Sequence, residues 1–251
     1  MADHEQKVPP VALTIAGFDP SGGAGVVADV KTFTAFGCFA TAAVTSLTFQ
    51  NTTGVFGAVH QTARDVRAQV MPVVEDFSVA CAKTGMLPTR EVIAEVARLF
   101  RETDLPAPVV DPVVRSTSGY DLIDDEALSA LVSELLPLAR VLTPNIPEAE
   151  RITGLRIEDE DAMRRAARAM REMGARAVLV KGGHLRRDEG GSVRDEGGPA
   201  AIDILDDEGR VTVFRGEWIE TTSTHGTGCT LSAAIAACLG RGLSLEESVE
   251  A

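Results

Sequence analysis

VALTIAGFDPSGGAGVVADVKTFTAFG, residues 11–37, reads as a buried strand, a glycine-rich turn and a helix in direct succession. The run VALTIAG (11–17) is apolar throughout rather than alternating, as in a strand covered on both faces. GVVADVKTFTAFG (25–37) has helical spacing and closes on Gly37. A strand entering a helix through a short turn is the opening half of a βαβ unit, which places this chain in the α/β class.

The same rhythm continues outward. TAAVTSLTF (41–49) and VFGAVH (55–60) are strands, and TARDVRAQVMPVVED (62–76) is a helix interrupted at Pro72. SVACAKTG (78–85) is a strand and TREVIAEVARLFRE (89–102) a helix. PVVDP (108–112) is a strand ending on Asp111, DDEALSALVSELLPLA (124–139) a helix, and RVLT (140–143) a strand. PEAERITG (147–154) and EDEDAMRRAARAMREMG (158–174) are helices, followed by the strand ARAVLVKGG (175–183). PAAIDILDD and RVTVFRGEWIE flank Glu208 and Gly209 as a hairpin at one sheet edge. LRRDEGGSVRDEGG (185–198) is expected to be a long solvated loop, either a lid or a disordered segment. A helix begins at Ser244 with Glu247 in capping-box position, and a further C-terminal helix is expected to be missing after Ala251. Strands alternating with helices predict a mainly parallel sheet with helices on both faces, formed by residues 1–251 as a single domain.

The 37 acidic and 24 basic residues leave a net charge of −13, which opposes attachment to nucleic acid or anionic lipid and favours a small-molecule partner. An anionic ligand would then need local compensation from backbone amides, a few basic side chains or a divalent cation. Cys38, Cys81, Cys229 and Cys238 lack metal-ligand spacing and suit a reducing interior. MADHEQKVPP carries no signal core and no apolar run is long enough to span a membrane, so a cytoplasmic protein is expected.

GFDPSGGAG (17–25) sits where open α/β sheets bind ligands, beyond the carboxyl end of a strand, yet it also reads as a plain tight turn. Neither GxGxxG nor GxxxxGK[ST] occurs in register, which disfavours a dinucleotide fold and a P-loop. Asp29 lies early in the following helix, where an acidic side chain is favoured whatever its role. Gln50 and Asn51, just past a strand, either read a heterocycle edge or satisfy a turn. Asp111 is expected at the ligand-bearing edge. Asn145 and Glu148 in TPNIPEAE form a capping box or offer oxygens to hydrated magnesium. Lys181 in KGGH either meets a phosphate or ends a strand. In THGTGCT (224–230) the amides of Gly226, Thr227 and Gly228 should cluster at a helix N-terminus and bind an anion, with Cys229 favoured as thiolate.

AGFDPSGGAGVVADVKTF, QNT (50–52), KTGML (83–87), DPVV (111–114), TPNIPEA, KGGH and THGTGCTLSAA together resemble the hydroxymethylpyrimidine/phosphomethylpyrimidine kinases of thiamine biosynthesis, in order and over nearly the whole chain. The resemblance implies a ribokinase-like three-layer sandwich, ATP with Mg2+, and a homodimer. It implies a pyrimidine pocket of Gly17, Asp29, Gln50, Met86 and Val113, with Asp29 and Gln50 as polar readers. Asp111 and Glu148 would hold the metal, with Asn145 helping to organise metal and phosphates, and Lys181 would meet the nucleotide phosphates. The amides from Gly226 to Cys229 would stabilise the transferred phosphoryl, and Cys229 would be the base. Phe18 and Arg115 depart from the family pattern, which bears on substrate shape. The alternatives are a pyridoxal or pyridoxine kinase and a non-catalytic pyrimidine-binding relative.

Overall fold

The computed structural model describes residues 8–114, 122–183, 194–195, 198–217, 219, 221 and 224–251. Along the chain these form β1 (Val11–Phe18), α1 (Gly25–Ala35), β2 (Phe39–Asn51), β3 (Gly54–His60), α2 (Ala63–Asp76), β4 (Val79–Thr84), α3 (Arg90–Glu102) and β5 (Val109–Val110). There follow α4 (Asp125–Ala130), β6 (Val141–Leu142), α5 (Ile146–Thr153), α6 (Glu160–Glu172) and β7 (Ala177–Lys181). The last elements are β8 (Arg194–Asp195), β9 (Gly198–Asp207), β10 (Arg210–Glu217), α7 (Thr227–Gly240) and α8 (Leu245–Glu250).

One sheet runs in the order β10-β9-β7-β6-β5-β4-β1-β2-β3, with β8 paired to β9 off this path. From β7 to β2 every neighbouring pair is parallel, while β3, β9 and β10 add antiparallel margins. Side chains of successive strand residues point to opposite faces, and this period of two sorts the core into two layers. Leu13, Ile15, Val110, Leu142, Val178 and Val180 pack under the layer of α2 to α6. Ala12, Val109, Val141 and Leu179 pack under α1, α7 and α8. The predicted three-layer α/β sandwich is the observed architecture.

Several local readings need correction. α2 runs unbroken through Pro72, because Pro72 and Ala68, whose carbonyl loses its partner, both lie on the exposed face. The helix expected over 124–139 holds only to Ala130; a π turn (Leu131–Leu135) and a 3-10 turn (Leu136–Leu138) follow, as Pro137 supplies no amide to continue it. β2 extends to Asn51, so Gln50 and Asn51 lie within the strand, paired with Val55 and Gly54. In the segment expected as a loop, Arg194 and Asp195 pair with Pro199 and Gly198. The rest of the proposed lid, residues 185–193 and 196–197, and Arg115 lie outside the described residues. Glu208 (φ 53°) and Gly209 (φ 97°) do form the two-residue loop of the β9–β10 hairpin. Among the described residues no helix is long and apolar enough to cross a membrane.

Candidate active site

The chain leaves β1 for β2 on one side and later enters β4 on the other, so the sheet order reverses between β1 and β4. The crevice beyond the carboxyl ends of strands at such a reversal is where open α/β sheets hold ligands. Gly17 and Phe18 at the end of β1, Gly85 and Met86 after β4, Asp111 after β5, Asn145 after β6 and Lys181 at the end of β7 all meet at that edge.

Two helix N-termini complete it. α2 to α6 and α8 each begin with a side chain that accepts from the first turn, whereas α1 and α7 begin without one. Their first-turn amides therefore lack the usual side-chain acceptor, and such amides attract anions. Glycine brings the two ends together: a Cβ on Gly226 (φ 77°) would lie 1.8 Å from the carbonyl oxygen of Gly23. On the far side of α7's first turn, a Cβ on Gly228 would lie 3.0 Å from Lys181 Nζ. Lys181 also reaches Asp111 Oδ1 at 3.3 Å, and Ser232 on α7 donates to Asp111 Oδ2 at 3.3 Å. Burial opposes ionisation of Asp111, but Lys181 and Lys83 outweigh it and hold the carboxyl below its ordinary value.

Asn145 and Glu148 do form the capping box at the start of α5. Asn145 Oδ1 accepts from the Glu148 amide and Glu148 Oε2 accepts from the Asn145 amide, each at 2.9 Å. Burial pushes the Glu148 carboxyl up to about 7; Lys181 opposes this and Asp111 adds to it. The Gln50–Asn51 pair divides. Asn51 Oδ1 accepts from Thr53 and Gly54 and serves the turn, while the Gln50 side chain lies by Asp19 and helps to hold its carboxyl low.

At the ends of β1 and β4, a Cβ on Gly17 would lie 3.1 Å from Met86 Sδ, and Val113 lies two residues beyond Asp111. Asp29 does not face this space. It is fully enclosed, with Lys83 Nζ at 2.8 and 2.9 Å from its two oxygens and the Thr14 hydroxyl at 2.6 Å, so the expected polar reader stands behind the pocket wall. Burial alone would favour the neutral amine of Lys83, yet Asp29 holds it as the ammonium, well above its usual range.

Cys229 also departs from expectation. Burial pushes its thiol up to about 11, against the pull of Lys83 and the Gly25 amide and with the push of Asp111 and Asp29. The helix terminus does not make it a thiolate, because desolvation and two nearby carboxylates outweigh the amides.

Three residues with no assigned part emerge at the site: Asp19, Lys83 and His225. Asp19 preceding Pro-Ser-Gly-Gly was the one with a local signal, that of an Asx turn. Its carboxylate accepts from Ser21, Ala24 and His225.

The family model described as phosphomethylpyrimidine kinase matches residues 19–251. A hydroxymethylpyrimidine/phosphomethylpyrimidine kinase of Rhizobium meliloti is 46% identical over 242 residues, 96% of this chain and 86% of that protein. The crystal structure of phosphomethylpyrimidine kinase from Clostridium difficile superposes with a TM-score of 0.81 at 38% identity, covering 97% of this chain and 95% of its own. The ADP complex of Bacillus subtilis pyridoxal kinase gives a TM-score of 0.84 at 34% identity, covering 97% and 88%. The two uncapped helix ends at the reversal point thus lie in a chain that belongs to the phosphomethylpyrimidine kinase family, a family of phosphotransferases with a ribokinase-like fold.

Proposed function

We propose that this chain transfers the terminal phosphoryl group of ATP to the hydroxymethyl arm of 4-amino-5-hydroxymethyl-2-methylpyrimidine, and then phosphorylates the monophosphate to the diphosphate, in thiamine biosynthesis. The observation that carries the reading is the pairing of the uncapped N-termini of α1 and α7 beside Lys181 and Asp111. A phosphoryl group in transfer develops charge on its oxygens, and preorganised amides are what an enzyme can best offer it.

In this reading the amides from Gly226 to Cys229 hold the phosphoryl oxygens, and Lys181 and Asn145 meet the nucleotide phosphates. Gly17, Gln50, Met86 and Val113 line the pyrimidine, with Gln50 as its polar reader and Asp29 supporting the wall through Lys83. No three His, Cys, Asp or Glu side chains among the described residues form a metal site by themselves. The two buried carboxylates Asp111 and Glu148 suit instead a hydrated Mg2+ that arrives on ATP, since that ion keeps several waters and binds through one or two carboxylates plus phosphates. Bound there, it would neutralise charge on the phosphate oxygens. Cys229 stands nearest the role of accepting the hydroxyl proton.

Residues 1–251 act as one domain in this proposal, in the cytoplasm and as a homodimer. The dimer reading is supported by Leu47, Phe49 and Val59, which share one face of the β2–β3 ladder and are 43%, 54% and 52% exposed. Phosphorus NMR of products formed from the hydroxymethylpyrimidine and MgATP tests the activity. Sequential growth of monophosphate and diphosphate is expected; unchanged ATP would defeat the proposal. Pyridoxal also carries a hydroxymethyl on an aromatic nitrogen ring, and the likeness to pyridoxal kinase gives that second reading some standing. Faster ADP release with pyridoxal than with the hydroxymethylpyrimidine would install it instead.

A further inference from the structure

We infer that Asp19 is a positioning residue that locks the pyrimidine side and the phosphoryl side of this site into one unit, by binding the turn after β1 and His225 through a single carboxylate that also faces Gln50. The inference rests on the reading above of where those two sides lie.

The Asp19 side chain is 2% exposed. Its Oδ1 accepts from the Ser21 amide at 2.8 Å, and its Oδ2 from the Ser21 hydroxyl at 2.9 Å, the Ala24 amide at 2.9 Å and His225 Nε2 at 2.8 Å. The Gln50 side chain lies beside it and helps to hold the carboxyl low. Burial opposes ionisation, yet His225, Ser21 and Gln50 together hold the carboxyl down at about 2, so Asp19 is an anion and only accepts.

That one-way chemistry orients both partners. Nε2 of His225 must carry a hydrogen, and Gln50 must turn its NH2 toward Asp19. The Gln50 carbonyl oxygen is then left to accept from a ligand, which suits an exocyclic amino group on a heterocycle. Glycine lets the two loops approach closely, since a Cβ on Gly23 would fall 2.7 Å from His225 Cδ2 and one on Gly226 would fall 1.8 Å from Gly23 O. Such contacts allow close approach but do not set a register; the directional His225–Asp19 bond does. Phosphoryl transfer responds to displacements of about 1 Å, so a device that fixes the distance between the two loops acts on rate.

The test uses the whole chain with His225→Leu, His225→Gln and Asp19→Asn. His225 is partly exposed, so its replacement leaves the core intact. His225→Leu removes the donor and is expected to lower kcat by about 10–100-fold. Amide exchange should speed up in that variant at Ser21 and Ala24 and at 226–229 together. His225→Gln retains an N–H at similar reach and should keep kcat within about threefold of the parent, with exchange in both loops still slow. Asp19→Asn should raise the pyrimidine KM by about tenfold or more while moving that of ATP far less, as expected for loss of a hydrogen bond to a charged group. Nitrogen-15 shifts of the His225 ring should show the Nε2–H tautomer in the parent and its loss in Asp19→Asn. Equal kcat losses in the Leu and Gln variants, or faster exchange in one loop alone, would overturn the inference. If the parent phosphorylates no pyrimidine, the function fails, while exchange and ring shifts still decide whether Asp19 joins the loops.

Discussion

At Cys229 the position of a group and its ionisation state part company. The thiol sits in the first turn of α7, but burial pushes it up to about 11, so at neutral pH it is almost wholly protonated. If the thiolate receives the hydroxyl proton, the active form is the deprotonated one, and its fraction grows tenfold per pH unit below that value. We predict that kcat/KM rises about tenfold per unit across the alkaline range, and that Cys229→Ala lowers kcat by about 10²–10⁴-fold with ATP affinity retained. A flat profile together with near-normal turnover of the Ala variant would remove Cys229 as base. The Asp29–Lys83 pair makes a separate prediction. Lys83→Met strands a buried carboxylate and should cost about 3–5 kcal/mol in urea unfolding, and adding Asp29→Leu should recover much of that. THGTGCT and Asp29 were both visible as residues of interest in the sequence. Their protonation and exposure were not, because desolvation depends on what other segments bring to them.

At the scale of elements, helix ends were the most legible feature. The Ser244–Glu247 cap starts α8 as its spacing predicts, and Asn145–Glu148 caps α5. Asn145→Ala should therefore cost about 1 kcal/mol of stability by denaturant titration, beyond any effect on ATP binding. Where proline entered a helix, spacing alone misled. Pro72 leaves α2 continuous on an exposed face, whereas Pro137 lies in the 3-10 turn that ends the α4 segment. Two glycines of positive φ offer a controlled comparison, Gly226 (φ 77°) and Gly242 (φ 91°). A Cβ on Gly242 meets nothing within 4 Å, while one on Gly226 meets the Gly23 carbonyl. Both Ala variants carry backbone strain of about 1–3 kcal/mol. Only Gly226→Ala must also part the two loops, so it alone should lower kcat by more than about tenfold. Similar kcat in the two variants would show that the close approach is dispensable.

Across the whole molecule, the exposed apolar face of β2–β3 and the site share a strand, since β2 ends on Gln50 and Asn51. Phe49→Glu with Val59→Glu should convert a dimer to a monomer in sedimentation velocity; a parent that already sediments as a monomer would exclude the homodimer. The sequence by itself determined the α/β layering, the order of strands and helices and the motifs that announce a kinase. Hydrophobic period and turn chemistry are local, and they survive without knowledge of partners. Only the tertiary structure decided that Asp29 is enclosed by Lys83, 54 residues away, and that Asp19 binds His225 across 206 residues. It likewise decided that α7's glycine-rich start lies against α1's and that Cys229 is a thiol. Burial and charge are sums over neighbours in space, and in a sheet whose order reverses between β1 and β4 those neighbours come from both halves of the chain.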